Sequence, residues 1–398
     1  MKLDATQEKI KAAIDAASNQ VLDVSHQIHD HPELGNQEFF ASGLLVQTLR
    51  GHGFEVETGF AGLETAFCAC KGKPGSHPVV AFLAEYDALP EIGHACGHNI
   101  ICTSALSAGI GLGSAIGEMQ GQVWVVGTPA EETVGAKVIM AKGGYFKGVD
   151  AALMIHPHMG NYYATHALAL TALKVEFFGK PSHAAAAPWE GINALDAMLL
   201  TFNNLNALRQ QLKPDVRIHG IISKGGVAPN IIPEYTEGHF YVRAQQRVYL
   251  DEVVKKFYAC GEAAAQATGC RVALSKYEED FDEMVNNLAL AERVRDYLVE
   301  DLGSGPFEYA PDHFGSIDMG NVSHVVPGIH VLIDIANGQK LSLHTRPFCE
   351  AAATDYAGQA MLRAGKALAL TGYDVITHPE FLQKVRSEFE QYLGRPRD

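Results

Sequence analysis

Val79-Val80-Ala81-Phe82-Leu83-Ala84 carries no polar side chain, passes into Glu85-Tyr86-Asp87, and is soon followed by Gly93-His94-Ala95-Cys96-Gly97-His98-Asn99. A short apolar run of this kind reads as a strand buried on both faces, the habit of a parallel sheet. Residues 99–116 then read as a long helix of small residues. The pattern repeats downstream. Gln122–Gly127 is apolar and β-branched and ends at Thr128-Pro129-Ala130-Glu131-Glu132, and Ala151–Ile155 ends at His156-Pro157-His158. Strands alternating with helices imply an α/β fold with a mostly parallel sheet.

In such sheets ligands bind beyond the carboxyl ends of the strands. Cys96 and His98, Glu131 and Glu132, and His156 all follow strand ends. Imidazole and thiolate are donors that a borderline-soft divalent ion such as zinc prefers. Cys-x-His alone is too short for a zinc finger and is equally compatible with a reactive thiol beside a histidine. Convergence at successive strand ends is the stronger argument for a site.

The flanking pattern completes the plan. Residues 5–30 and 38–52 read as helices around the turn His31-Pro32-Glu33-Leu34-Gly35, 63–70 as a strand, and 135–142 as a short helix. Strands at 171–178, 217–223, 238–244 and 271–277, with helices at 191–212 and 251–267, give the β-α-β-β-α-β order of a ferredoxin-like domain. A helix at 286–302, a strand at 328–335 and a last helix near 351–371 return to the first texture. Residues 1–167 and 281–398 therefore form one domain, with 168–280 inserted into it.

A chain of 398 residues exceeds what one core usually holds, which agrees with two domains. Its net charge of −15 argues against nucleic acid, which needs a basic face, and mildly favours cationic small molecules. No run approaches the roughly 18 apolar residues of a membrane helix, and the polar start Met1-Lys2-Leu3-Asp4 does not read as a signal peptide. The 7 cysteines are scattered and odd in number, which points to a reducing cytoplasm.

Several motifs in order carry a resemblance: His31-Pro32-Glu33-Leu34 with Glu38, Asp87-Ala88-Leu89-Pro90, His94-Ala95-Cys96-Gly97-His98, Pro129-Ala130-Glu131-Glu132, Gly179-Lys180-Pro181-Ser182-His183-Ala184-Ala185 and Leu343-His344. Over nearly its whole length the chain resembles metallopeptidase family 20, which holds aminoacylases, amidohydrolases and dipeptidases. Glu85-Tyr86-Asp87-Ala88-Leu89-Pro90 and Asn99 look most like the aminoacylase-1-like protein 2 branch, whose members are dipeptidases acting on basic C-terminal residues. The amidohydrolases more usually carry Arg-Ala-Asp-x-Asp and Cys-Gly-His-Asp.

The resemblance implies a metallopeptidase catalytic domain with a ferredoxin-like lid and dimerisation domain, and a homodimer formed through the latter. It implies metal ligands Cys96, His98, Glu132, His156 and His344, enough for two divalent ions, zinc or manganese with cobalt or nickel as further candidates. Glu131 would be general base and then acid, Asp87 would orient His98, and His183 would stabilise the oxyanion, often across the dimer. Asn230, Arg243 and Ser316 would line the pocket for a substrate carboxylate. The implied substrate is a dipeptide, of Xaa-Lys or Xaa-Arg type, or an N-acyl amino acid.

Blander readings stand beside these. Glu131-Glu132 alone is also a solvated turn, Asp87 a turn former, Arg243 a surface strand arginine and His344 a surface histidine. His94 and His158 read as supporting groups, and His29 and His31 as turn residues. A non-catalytic metal-stabilised binding protein and a cysteine hydrolase using Cys96 and His98 are the other functional classes.

Overall fold

The computed structural model describes residues 3–309 and 315–394, so residues 1–2, 310–314 and 395–398 of the expected first domain lie outside the described residues. The strands, numbered along the chain, are β1 (Glu55–Thr58), β2 (Phe67–Gly72), β3 (Val79–Ala84), β4 (Gln122–Gly127), β5 (Ala151–His158), β6 (Tyr162–Ala164), β7 (Ala169–Phe178), β8 (Arg217–Lys224), β9 (Tyr235–Ala244), β10 (Arg271–Lys276), β11 (Glu308–Tyr309) and β12 (Gly328–Asp334). The chain packs as two compact units. The first spans residues through His166, then Met284 onward and Asp318 onward; the second spans Ala167–Glu283 with Gly315–Ile317.

The first unit holds an 8-stranded sheet in the order β1-β2-β4-β3-β5-β12-β6-β11. Its centre is parallel: β3 pairs with β4 and β5, and β5 with β12. The edge pairs β1–β2 and β2–β4 are antiparallel. Every residue of β3 and β5 is buried, which explains the unbroken apolar runs Val79–Ala84 and Ala151–Ile155. The helix His98–Ala115 packs against the helices Ala5–Asp30 and Asp355–Thr377. Small residues allow that approach: a Cβ at Gly111 would stand 2.6 Å from the Ile14 side chain.

The second unit is a 4-stranded antiparallel sheet in the order β10-β7-β9-β8. The helices Ala194–Leu208 and Arg247–Thr268 close over one face, burying Leu173, Val175, Phe177, Phe240 and Val242. Gly315–Ile317 joins this unit, where the Gly315 carbonyl accepts from the Leu168 amide at 2.9 Å.

Several boundaries move for local reasons. The helix expected from 191 begins at Ala194, because the Asn193 side chain caps the Leu195 and Asp196 amides. The helix expected over 286–302 runs Leu288–Asp296, capped by Asn287, and ends in the wider turn Tyr297–Asp301. The final helix is joined by an unanticipated one, Pro379–Leu393, after a break at His378. A residue before proline resists helical geometry, while proline itself fits a first turn. No helix among the described residues is long and apolar enough to cross a membrane.

Candidate metal centre

Four segments of the first unit converge beyond the carboxyl ends of β3, β4 and β5. Gly97, at φ +80°, turns the chain into the helix that starts at His98, and a Cβ there would stand 2.5 Å from the Pro157 side chain. Glycine thus lets Cys96 and His98 sit against the end of β5. The turn after β4 is held from below. Buried Glu38 accepts from the Ala130 amide at 2.8 Å and from the Thr65 hydroxyl at 2.9 Å. Ala130 has a φ of 57° and His344 a φ of 60°. Each left-handed residue costs roughly 1–2 kcal/mol. The Glu38 contact and the His344 amide donating to the Ala95 carbonyl at 3.0 Å offset that cost.

The side chains form three overlapping groups whose donor atoms lie within 4.8 Å of one another: Cys96 with His98 and His156, Cys96 with Glu132 and His344, and His98 with Glu131 and Glu132. Their orientations are fixed from behind. Asp87 accepts from His98 Nδ1 at 2.8 Å and, with its other oxygen, from the Glu132 amide at 3.0 Å. The Pro157 carbonyl lies 2.7 Å from His156 Nδ1 and can only accept, so that nitrogen carries the proton. His156 Nε2 is left facing Cys96 Sγ at 3.4 Å. His98 Nε2 lies 3.8 Å from Glu132 Oε1, which also lies 3.3 Å from His344 Nε2.

This arrangement fits a divalent ion. His98 Nε2 and Glu132 Oε1 are buried polar atoms without a hydrogen-bond partner, although such atoms are costly to leave unpaired. Both are of the nitrogen, sulfur and oxygen types that zinc and similar ions accept. The proton balance agrees. Burial, then Glu85 and Glu132, push the Glu131 carboxyl well up. Burial and Glu132 push the Cys96 thiol up. Burial would lower the His98 ring, but Asp87 and then Cys96 outweigh it and shift the ring well above its usual range. Acids and a thiol this crowded gather protons, and a divalent cation is the charge that would displace them.

A buried triad that the sequence pattern does not reveal lies beside these groups. Lys137 Nζ lies 2.7 Å from Glu85 Oε1 and 2.6 Å from Asp318 Oδ1, and all three side chains are almost wholly buried. Asp318 Oδ2 also accepts from the Lys137 amide at 3.1 Å. The available signal was Glu85 itself, a carboxylate placed two residues before Asp87 at the end of an apolar strand.

His94 is buried and stacks with His29 at 6.2 Å, while His29 Nε2 donates to the Cys349 carbonyl at 2.9 Å. His158 sits 5.6 Å from the Tyr162 ring. In the second unit, His183 pairs with Ile231 through a β-bridge, and the Ala184 amide donates to the Asn230 carbonyl at 3.0 Å. His183 Nδ1 accepts from the Ala185 and Ala186 amides at 3.2 and 3.1 Å, so its Nε2 is the donor. Arg243 donates to the Ser316 hydroxyl at 3.0 Å. The second unit therefore brings His183 beside Asn230, and Arg243 beside Ser316.

The M20 peptidase dimerisation domain matches residues 169–268. The chain is 40% identical to the Xaa-Arg dipeptidase of Mus musculus over 406 residues, covering 98% of this chain and 93% of that one. It is 39% identical to the Xaa-Arg dipeptidase of Homo sapiens over 412 residues, covering 97% and 92%. A dinuclear metal-binding peptidase of the M20 family from Bacillus subtilis shares the fold, with a TM-score of 0.65 at 19% identity over 90% of this chain and 99% of that one.

Proposed function

We propose that this chain, which belongs to the M20 peptidase family of metal-dependent hydrolases, is a dipeptidase for substrates ending in arginine or lysine. The observation that carries the reading is the convergence of Cys96, His98, Glu131, Glu132, His156 and His344 on one small volume in a chain so similar to Xaa-Arg dipeptidases. In this proposal Cys96, His98, Glu132, His156 and His344 hold two divalent ions, zinc or manganese. Bound there, the ions supply positive charge that polarises an amide carbonyl and acidifies water.

The protein's own groups do the rest. Asp87 keeps the His98 proton on Nδ1 and the Pro157 carbonyl keeps the His156 proton on Nδ1, so each ring presents Nε2. Glu131 takes a proton from the attacking water as the water oxygen bonds to the carbonyl carbon. It then passes that proton to the amide nitrogen as the carbon–nitrogen bond breaks. Burial, with crowding by Glu85 and Glu132, raises its proton affinity, which suits a group that must both accept and give. His183, with Nε2 as donor, stabilises the oxyanion. Asn230, Arg243 and Ser316 bind the substrate carboxylate, for which the arginine fork is well shaped.

The second unit is proposed as a homodimer surface. β8 is a sheet edge exposed along most of its length, with Ile221 and Ile222 exposed on it and Leu199 and Leu200 exposed on the helix Ala194–Leu208. An apolar edge of this kind invites pairing with another strand. All seven cysteines are free, which supports a reducing, cytoplasmic setting. The test is a panel of dipeptides and N-acyl amino acids offered to the metal-loaded protein. Fastest hydrolysis of Xaa-Arg and Xaa-Lys is expected; fastest hydrolysis of N-acyl amino acids would overturn the dipeptidase reading.

A further inference from the structure

Strand β9 alternates. Phe240, Val242 and Ala244 face the buried core, while His239, Tyr241 and Arg243 stand on the open face of the second unit's sheet. Tyr277, just past β10, joins them. Its ring stacks on Tyr241 at 6.1 Å and on His239 at 4.9 Å. Glu278 completes the group, accepting from the Tyr241 hydroxyl at 2.9 Å. The Arg243 guanidinium lies 5.6 Å from the Tyr241 ring centre.

We propose that His239, Tyr241, Tyr277 and Glu278 form the subsite for the cationic side chain of the substrate's C-terminal residue. The inference rests on the reading above, in which Arg243 takes that residue's carboxylate. Tyr241 then separates a cation from an anion: Arg243 lies over its ring, and Glu278 is bound at its hydroxyl. Arginine and lysine carry the complementary order, a carboxylate at one end and a cation at the other, joined by an apolar stem. Aromatic faces suit both the stem and the cation.

The neighbouring carboxylates are already matched. Glu237 has Lys224 Nζ at 3.0 Å and His239 Nε2 at 3.1 Å, and the Tyr235 and Lys224 hydrogen bonds hold its carboxyl down to about 2. Glu176 has Lys174 Nζ at 3.1 Å. Glu278 has no cation within ion-pair distance among the described residues, and its second oxygen accepts no hydrogen bond there. Partial burial pushes its carboxyl up, against the Tyr241 hydrogen bond and the more distant His239 and Arg243, which act to lower it.

The experiment compares kcat/KM for an Xaa-Arg dipeptide with that for the Xaa-norleucine dipeptide, using metal-loaded wild type, Glu278→Gln and Glu278→Lys. Calorimetric binding of free arginine and norleucine gives a second readout. A charge-assisted hydrogen bond is worth enough that Glu278→Gln should lower the Arg-to-norleucine ratio about 10- to 100-fold. Glu278→Lys should move the preference toward an Xaa-Glu dipeptide, and both variants should lose arginine affinity more than norleucine affinity. If wild type prefers arginine and Glu278→Gln keeps that ratio, the subsite is elsewhere and the inference fails while the dipeptidase reading stands. If wild type cleaves dipeptides without preferring arginine, the proposed substrate class fails and takes the subsite with it.

Discussion

Lys137 offers a direct test of how the first unit holds its charges. Lys137→Met keeps the length of the side chain and removes the ammonium that lies 2.7 Å from Glu85 and 2.6 Å from Asp318. Both carboxylates are buried, so neither can find water as a replacement partner. Breaking a buried ion pair by deleting one partner costs about 3–5 kcal/mol, because the remaining charge is left uncompensated. The loss must depend on pH. Burial already raises the Glu85 carboxyl, with Lys137 acting to lower it, so the variant raises it further. An acid whose folded value lies above its unfolded value binds its proton more readily in the folded state, so stability falls as pH rises through that window. The deficit is therefore largest at neutral pH and shrinks as pH falls toward the ordinary glutamate range, about 4–5. Urea unfolding at several pH values and a fixed metal concentration measures it. The triple variant Glu85→Gln, Lys137→Met, Asp318→Asn should regain most of the loss, since no charge is stranded. A neutral-pH deficit below about 1 kcal/mol, the scale of an exposed pair, would refute the reasoning.

Three further outcomes follow from the site. Glu131→Gln preserves shape and removes the base, so turnover should drop roughly 100-fold or more while elemental analysis finds the metal content intact. Asp87→Asn should weaken metal binding about 10- to 100-fold, because the carboxylate behind His98 and the Glu132 amide loses its charge, and competition with a chelating dye reads this directly. His183→Ala should lose about 100- to 1000-fold in turnover yet remain metal-loaded. Mixing it with Glu131→Gln should restore activity if His183 serves the partner's site; a dead mixture after demonstrated subunit exchange would place its action within its own chain.

Much of this architecture is legible in residue order. β3 and the first five residues of β5 announce themselves because a strand segment buried on both faces has no solvent-facing position to interrupt its apolar run. The ligand candidates are legible for a related reason: a parallel sheet delivers consecutive strand ends to one edge, so Cys96, Glu132 and His156 need no long-range guess. The Lys137 triad is not legible in this way. Lys137 and Asp318 are 181 residues apart, and nothing local distinguishes a lysine at the start of a helix from a solvated one. The role of Glu38 is hidden likewise, since its partners Thr65 and Ala130 lie in separate loops. Helix ends depart from the periodicity where a single side chain decides them, as Asn193 and Asn287 do by capping. At Gly315–Ile317, Arg243 and Leu168 draw a segment of the later chain into the inserted unit, a tertiary choice that periodicity does not encode.

In the proposed mechanism Cys96, His98, Glu132, His156 and His344 hold the ions on which hydrolysis depends. The most direct measurement is a metal titration of chelator-stripped protein, with hydrolysis of an Xaa-Arg dipeptide and bound metal followed together. Activity should be lost on stripping, return with added zinc or manganese, and saturate near two ions per protomer, while Cys96→Ala and His344→Ala bind less metal and recover little activity. Full hydrolysis by stripped protein would show that no ion is needed, and full metal content and activity in Cys96→Ala would remove Cys96 from the ligand set.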